Sequence, residues 1–493
     1  MPLALEVFQR IGLSEGLLDA LLAEHDAAVE NDLNPLWAYY RNETARAAPG
    51  VRGRLAQEAG LPARITGAAG LSLSLDDRAN AREIVIENDI AWRLHTMVDF
   101  MFGKPVQILS TSNDESQRRP IERTLDAVWE ASGGIALLQD IALIGHVYGY
   151  VDLLLRVDPA LFSGRFNPDE PESFAHLLKI EVIEPTRGIA ILNPSDYRQL
   201  DGYVIRVTRV LNEVESGWGR GSAGQFLRRL GGSRSRRRVG TMTEIFSDTH
   251  RQLYEDDRLI DETLNRATPG VTPIVHIQNI SQPMRYAGLS EVEPLIPLQN
   301  ELNTRLSDRA TRVTMQCFKM YLAKGIEGFD KSPIGPGALW QTDNPDASIE
   351  AFGGDTSNPS EESHINEVRE AMDKVSGVPP LAAGVVRAKI GNLSSANALR
   401  VTLLGLLSKT ARKRVTYGSG MAQMCRLILT ALDEAGVLDT TPTQRSTRIV
   451  WPDPVPADVH EQTLAAKAKR DLGVPDETIL AELGYGPTDA GVT

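Results

Sequence analysis

The chain has 493 residues, 42% of them hydrophobic, and a formal net charge of −13 at pH 7. This length allows two or more domains or one large discontinuous body, and the apolar content is sufficient for real cores. The negative charge argues against tight electrostatic binding to nucleic acid, because such binding needs a basic surface that releases phosphate counterions. It does not exclude weak, passing contact.

The two cysteines, Cys317 and Cys425, lie far apart and form no CxxC pair. The sequence therefore predicts neither a disulfide framework nor a thiolate metal site, and it fits a reducing compartment. The first residues lack a basic segment followed by an apolar run, and the most apolar stretch, 135–155, is interrupted by two aspartates and a histidine. We expect no signal peptide and no membrane span.

The first hundred residues predict helices separated by a loop. Residues 1–45 have a helical pattern, and residues 46–80, rich in Ala, Gly and Arg, predict a loose loop. A further helix is expected from Arg82 to just before Gly103 and Pro105, with a strand after it. The apolar face of this helix consists of Ile90, Leu94, Met97, Val98 and Met101.

The next region predicts two helices and a sheet. Residues 120–130 continue as a helix, and residues 135–156 change from helix to strand at the sequence LIGHVYGY. The Val and Ile content predicts strands within 178–191, 203–211, 241–246, 250–254 and 272–278. Residues 213–240 are rich in Gly, Ser and Arg, which predicts a flexible surface loop. Its arginines, Arg234, Arg236, Arg237 and Arg238, fit a nucleic-acid contact and an assembly contact equally well.

From Leu289 onward the pattern is mainly helical. After Pro294 and Pro297, one helical stripe is formed by Leu298, Leu302, Leu306, Arg309 and Val313. Short strands and turns are expected over 326–352 and a charged helix over 361–375. Residues 440–456 are rich in proline and contain the strand-like sequence RIVW, and helices are expected after them.

The stretch 377–414 is the most distinctive part of the sequence. Its prolines and glycines predict a mobile loop, and helical periodicity begins at Ala396 and continues for ~40 residues, or roughly 60 Å. Glycines inside this helix predict a kink near Gly405 or near Gly418 and Gly420. Isolated cations on the loop and a basic run on the helix could contact phosphates weakly. These cations are Arg387, Lys389, Lys409, Arg412, Lys413 and Arg414.

No motif predicts catalysis, a metal site or a cofactor. The chain has no GxxxxGK[ST] phosphate loop, and the GxGxxG match at Gly219 lies in the Arg-rich segment, outside any βαβ unit. His460 and Glu461 begin an HExxH pattern, but position 464 is Leu. The acidic residues of 361–373 are interpreted as a solvated helix face.

Several segments, in this order, resemble the portal proteins of tailed bacteriophages, in the SPP1-like family. These segments are VDFMFGKPV (98–106), LIGHVYGY (143–150), TPIVHIQN (272–279), LSEVEPLIPLQNELNTRLSD (289–308), GPGALW (335–340), VSGVPP (375–380) and GNLSSANALR (391–400). The chain departs from the family pattern at Ala396 and Asn397, where Ser-Gly is frequent, and near Gly405, where a proline is frequent.

The resemblance implies an α+β portal fold with a mixed α/β wing, a two-helix stem, a small α/β clip, a long kinked helix and a helical crown. The implied parts are the wing (1–288), the stem helix (289–318), the clip (319–358), the second stem helix (359–376), the tunnel loop (377–393), the kinked wing helix (394–432) and the crown (433–493). The resemblance also implies that Arg387, Lys389 and Asn392 contact DNA from the tunnel loop, and that Arg400, Lys409, Arg412 and Lys413 are channel or helix cations.

The implied function is a ring, usually of twelve subunits, at one capsid vertex of the virion, assembled in the host cytoplasm. Double-stranded DNA would pass through it without sequence preference during packaging and ejection. The implied partners are the terminase large subunit, then the head–tail adaptor, and the major capsid and scaffolding proteins, with no membrane, cofactor or catalytic activity. Two alternatives stay open at this point: a phage DNA-processing enzyme with an unrecognised active site, and a capsid or adaptor protein without a central channel.

Overall fold

The structure, a computed structural model, describes residues 4–44, 53–66, 83–213, 236–317, 320–324, 345–352, 358–383, 400–455, 459–476 and 479. The α-helices in this part of the chain are α1 (Glu15–Ala28), α2 (Asn34–Arg41), α3 (Ala63–Thr66), α4 (Asp89–Phe102), α5 (Glu115–Ala131), α6 (Gly134–Tyr148), α7 (Ile296–Cys317), α8 (Pro359–Ser376), α9 (Leu404–Glu434) and α10 (Val459–Asp471). Short 3-10 helices are Leu5–Ile11, Ala56–Gly60, Pro159–Phe162, Pro171–Ser173, Ala175–Leu177, Glu293–Leu295 and Pro380–Ala383, and Val29–Leu33 is a π-helical turn.

The strands are β1 (Gln107–Ser110), β2 (Tyr150–Val157), β3 (Leu178–Ile183), β4 (Gly188–Leu192), β5 (Leu200–Glu213), β6 (Arg236–Ser247), β7 (His250–Glu255), β8 (Arg258–Leu264), β9 (Ile274–Gln278), β10 (Met320–Lys324), β11 (Ser348–Phe352) and β12 (Thr447–Val450). The chain is thus a mixture of helices and antiparallel sheets, as expected. It divides into unit 1 (Met1–Trp37, Arg93–Glu291 and Gly377–Thr493) and unit 2 (Ala38–Trp92 and Val292–Ser376).

The described residues of unit 1 form three antiparallel sheets. One has the order β3-β2-β9, one is a five-stranded meander from β4 to β8, and β1 pairs with β12. The main core lies where α4, α5, α6 and α9 pack with the three-stranded sheet, and it includes Phe102, Leu125, Leu153, Tyr417 and Ile428, all buried. These elements are far apart in sequence, so non-local apolar burial holds unit 1 together.

No single described helix is long and apolar enough to span a membrane, although α5 and α6 together, bent by 69°, have that length and composition.

Unit 2 is built on a helix pair and a two-stranded ribbon. The chain runs through α7, forms the antiparallel ribbon of β10 and β11, and returns through α8. An ion pair between Arg312 and Glu361 joins the two helices, and His364 Nε2 lies 2.9 Å from Glu301 Oε1.

An extended segment, 83–89, is held against α7 by side chains of the helix. The backbone N–H groups of alternate residues, 83, 85, 87 and 89, donate to Thr311 Oγ1, Ser307 Oγ, Asn303 Oδ1 and Gln299 Oε1 at 3.0–3.1 Å. N–H groups two residues apart along the extended segment therefore meet side chains four residues apart on one face of α7. We call this arrangement the polar ladder.

Most of the sequence-based element predictions are confirmed. The α4 face is buried as predicted, and α5, the α6-to-β2 transition, α7, α8 and β12 lie where expected. Three details are wrong. The helix predicted from Arg82 begins only at Asp89, because the polar ladder keeps the preceding residues extended. Helical turns lie at Ala56–Gly60 and Ala63–Thr66 inside the predicted loop, and Arg236–Gly240 belong to β6 rather than to the flexible insertion.

Candidate functional site

The loop-to-helix stretch begins at a fixed base in unit 1. Gly377 has φ +72°, a left-handed conformation that favours glycine, and it follows the end of α8. The next residue, Val378, is fully buried, and its carbonyl accepts a hydrogen bond of 3.0 Å from Nη1 of the buried Arg93. A 3-10 turn, Pro380–Ala383, follows. Arg387, Lys389 and Asn392 lie outside the described residues.

The chain re-enters the described part as a broken helix. Residues 400–402 are helical, Leu403 leaves the helical conformation with ψ 3°, and α9 starts at Leu404. The break predicted near Gly405 is therefore confirmed. At Gly418 and Gly420 the helix continues unbroken. A Cβ at Gly420 would lie 2.3 Å from Ile277 Cγ1, so close packing against β9 accounts for that glycine.

The cations of this helix have different environments. Arg400 Nη2 lies 2.5 Å from Asp453 Oδ2 in an ion pair at the surface, and Arg412 is exposed. The Arg414 guanidinium donates to the carbonyls of Phe100 and Pro452.

Lys409 and Lys413 point toward the interior of unit 1. Lys409 Nζ is 2.5 Å from Glu291 Oε2, and Lys413 Nζ is 2.8 Å from Glu291 Oε1. The side chains of Lys413 and Glu291 are only 2% and 3% exposed. Lys413 thus presents no charge to solvent, which does not fit the expected role of this residue as a channel cation.

The buried charges shift one another's protonation. Burial alone would raise the pKa of Glu291, but the two lysines outweigh it and hold this pKa well below its usual range. Burial lowers the pKa of Lys413 to about 8, although Glu291 opposes this shift. At neutral pH the carboxylate is therefore ionised and faces two ammonium groups, as a buried charge requires.

His146 completes this cluster as a neutral side chain. Burial, followed by the charge of Lys413, lowers its pKa to about 3. Its Nδ1 faces the carbonyl of Ala142 in α6, so Nδ1 carries the proton. The backbone carbonyl of His146 accepts a 2.8 Å hydrogen bond from the N–H of Glu291, which fixes the carboxylate residue next to α6.

Tyr417 links the long helix to the segment after β9. Its hydroxyl donates to Asn279 Oδ1 at 3.2 Å, and Asn279 Nδ2 donates to the carbonyl of Leu289 at 3.0 Å. We call Glu291, Lys409, Lys413, His146, Tyr417 and Asn279 the anchor cluster. Because it is buried and internally paired, its physical effect is to fix the start of α9 relative to α6 and β9.

A second polar cluster surrounds Asp152 on β2. Asp152 accepts hydrogen bonds from the hydroxyls of Tyr203 and Tyr286 at 2.6 and 2.9 Å. His276 Nδ1 lies 2.6 Å from Asp152 Oδ1, and its Nε2 lies 2.7 Å from the Tyr286 carbonyl. The His276 ring thus bridges the Asp152 carboxylate and the Tyr286 carbonyl. Periodicity gave no signal for this cluster, whose members are up to 134 positions apart.

The described surface near these clusters contains one large cavity of about 1090 Å³ in unit 1. The loops around 193–201 and 270–286 form one side, and Val415, Thr416 and Ser419 of α9 line another. Within the described residues, no group of three or more His, Cys, Asp or Glu side chains could hold a metal ion.

Comparisons with known proteins give the family. No curated protein sequence matches the chain. A chain from a solved structure described as the virion of a native gene transfer agent (GTA) particle is similar with 12% sequence identity and a TM-score of 0.45, over 92% of this chain and 100% of that chain. A chain from the neck of an empty GTA particle computed with C6 symmetry has 13% identity and the same TM-score and coverage. A sequence model described as phage portal protein, SPP1 Gp6-like, matches residues 88–485, which is more than half of the chain, and the protein therefore belongs to this family of phage portal proteins.

Proposed function

We propose that the protein is the subunit of a portal ring, usually of twelve copies, at one vertex of a phage capsid. Double-stranded DNA passes through the ring into the head during packaging and out of it during ejection. The family match over residues 88–485 carries this proposal. A closed ring also explains how a few cations per subunit become a continuous collar, because symmetry repeats each of them around the axis.

Within this proposal, residues 1–288 form the wing, 289–318 and 359–376 the two stem helices, and 319–358 the clip. The order α7, ribbon of β10 and β11, α8 in unit 2 supports a stem-and-clip arrangement. Residues 377–393 form the tunnel loop, 394–432 the kinked helix and 433–493 the crown. The break at Leu403 supports the kink.

The proposed DNA contacts are weak and few. Arg387, Lys389 and Asn392 on the tunnel loop contact passing phosphates, and Arg412 is an exposed cation of the helix that follows. The net charge of −13 keeps the rest of the surface from holding DNA, since DNA that must move should not bind strongly. The anchor cluster holds the helix that follows the loop.

The proposed partners act at different stages. The terminase large subunit docks during packaging, the head–tail adaptor replaces it afterwards, and the major capsid and scaffolding proteins surround the wing. The portal itself carries out no catalysis, so ATP hydrolysis belongs to the terminase. The ring is assembled in the host cytoplasm and remains in the virion.

Native mass spectrometry of the purified chain, with negative-stain images, tests the proposal. We expect a ring near twelve subunits with a central hole. A protein that stays monomeric at every concentration tested, both alone and with its scaffolding protein, would contradict the ring.

A further inference from the structure

We propose that the start of the long helix carries a docking surface for a neighbouring copy of the chain. This outer face consists of Val401, Leu404, Ser408, Ala411 and Val415. The inference rests on the proposed ring, and it adds which surface of each subunit holds the next one.

The exposure of the aliphatic side chains is the first observation. Val401, Leu404 and Val415 are 72%, 61% and 72% exposed. Single exposed apolar residues are ordinary, but here Val401 in the turn before the break and Leu404 and Val415 in α9 expose three aliphatic side chains within 15 residues, a surface that favours a partner. The opposite side, with Leu406, is buried in unit 1, so this helix already uses its other face for folding.

The spacing of the outer face is the second observation. Within α9 its members Leu404, Ser408, Ala411 and Val415 follow one another at intervals of 4, 3 and 4 residues. This is the heptad spacing of residues that pack into another apolar surface. Between the three aliphatic residues stand Ser408 and Ala411, which are small enough to receive side chains of a partner.

The environment of the neighbouring cations argues against DNA as the occupant. Lys409 and Lys413 are held by Glu291, and Arg414 donates to backbone carbonyls. Arg400 already pairs with Asp453. Four of the five side chains of the outer face are apolar, and apolar groups gain nothing from contact with phosphates.

The net charge of the chain and the proposed ring favour a second copy of the chain as the partner that binds the outer face. In a ring each copy needs two different surfaces, one for each neighbour. Arg412 stands exposed beside the outer face, and the net charge of −13 makes the surface of another copy a complement for it. Val415 also lines the cavity of about 1090 Å³, so the outer face continues into a space that can receive a protruding part of that copy.

The test compares two double variants in the full chain. Leu404→Asp with Val415→Asp changes the outer face. Leu264→Asp with Val239→Asp is the matched control, because Leu264 and Val239 are 57% and 70% exposed and lie on the five-stranded sheet. Mass photometry over a concentration series measures the ring, and circular dichroism checks the fold. Leu404→Asp places a negative charge at the first residue of α9, where such a charge favours a helix.

We expect the outer-face variant to associate at least about 100-fold more weakly than the wild type, since two buried aliphatic contacts are lost. The control variant should form rings like the wild type. If the wild type and both variants form rings equally well, the docking surface is wrong and the proposed portal function is untouched. If the wild type forms no ring at any concentration, alone or with its scaffolding protein, the proposed function fails, and this inference fails with it.

A photo-crosslinking amino acid at position 404 tests the same surface without removing an interaction. Irradiation of assembled rings should join two chains, and peptide mapping should find the second attachment point on another copy. The same amino acid at position 264 serves as the control. Crosslinks that stay within one chain, or join only added DNA, would overturn the inference whether or not the double variant folds.

Discussion

Lys413 Nζ lies 2.8 Å from Glu291 Oε1, and both side chains are almost completely buried. Lys409 reaches the other oxygen of the same carboxylate. One carboxylate thus compensates two cations on consecutive turns of α9. Glu291 precedes both lysines by more than a hundred residues in the sequence. The pairing ties the helix after the proposed tunnel loop to the body of unit 1.

Replacing Glu291 by Ala should destabilise the protein strongly. The substitution removes the carboxylate that pairs with the fully buried Lys413, and breaking a buried pair in this way costs about 3–5 kcal/mol. Urea denaturation followed by tryptophan fluorescence measures the effect. Arg426→Ala, an exposed cation of the same helix, is the control and should stay within about 0.5 kcal/mol of the wild type. A Glu291→Ala variant as stable as this control would disprove the structural role of the pair.

Stability should fall between pH 7 and pH 5 because of His146. Burial first, and then Lys413, lower its folded-state pKa to about 3, whereas an unfolded histidine titrates near about 6.5. Between these values the unfolded state binds more protons, so acid favours unfolding, by about 2 kcal/mol at pH 5. Above about pH 6.5 this histidine is neutral in both the folded and the unfolded state, so its titration no longer lowers the free energy of unfolding.

The variant His146→Gln isolates this contribution. Its stability should depend less on pH between 7 and 5, although it is less stable at pH 7. Glu291, with its lowered pKa, loses its contribution only below about pH 4.5, outside this window. Identical pH slopes for wild type and variant would show that His146 is not buried in its neutral form.

Two glycines of α9 should respond in opposite ways to alanine. At Gly420 a Cβ would lie 2.3 Å from Ile277 Cγ1, and Ile277 is buried, so Gly420→Ala should destabilise by about 1–3 kcal/mol. At Gly418 the nearest atom is 3.6 Å from the added Cβ, and Gly418→Ala should stabilise by up to about 1 kcal/mol through helix propensity. Thermal denaturation of both variants measures these two changes in stability. Equal effects would contradict the packing of α9 on β9.

Local periodicity predicted the elements well but not the partners of their polar residues. The buried face of α4 follows from apolar spacing alone. In α9, Lys413 lies at helical spacing from Leu406, Thr410 and Tyr417, all buried, and this spacing was the available signal that Lys413 points inward. The basic run around it indicated weak phosphate contacts from an exposed helix surface instead. No local pattern could identify Glu291 as its partner, because the pairing depends on the tertiary fold.

The polar ladder was missed for a related reason. Gln299, Asn303, Ser307 and Thr311 repeat every four residues, which is a signal for one helix face. A polar face is ordinarily exposed, yet the first three of these residues are fully buried. Their partner is the backbone of an extended segment. Because every residue except proline carries the same backbone N–H and C=O groups, the side-chain sequence cannot identify such a partner.

The polar ladder predicts alternating amide protection along 83–89. The N–H groups of Val85 and Glu87 donate to α7 side chains, whereas those of Ile84 and Ile86 have no hydrogen-bond acceptor within the described ranges. Hydrogen exchange resolved to single amides should therefore find slow exchange at 85 and 87 and faster exchange at 84 and 86. Uniform exchange along the segment would contradict the ladder.

Removing one ladder side chain should open the segment locally. Asn303 is fully buried, accepts from Glu87 N–H and donates to Gln57 Oε1 at 3.0 Å each. Asn303→Ala leaves these partners unsatisfied, at a cost of about 1–3 kcal/mol, and should speed exchange at 87. Thr311→Ala, at the exposed end of the ladder, is the matched control and should change exchange at 83 only.

Replacing both Arg387 and Lys389 by Ala should leave ring assembly intact and alter DNA packaging or retention. Both are cations of the proposed tunnel loop, and weak phosphate contacts repeated around a ring are lost together. Nuclease protection of packaged DNA in purified particles measures retention, and mass photometry measures the ring. Arg426→Ala with Lys467→Ala removes the same charge from exposed positions elsewhere and serves as the control. If packaging and retention match the wild type while the ring is intact, these two side chains do not contact DNA. If the control variant has the same defect, the effect comes from net charge rather than from the loop.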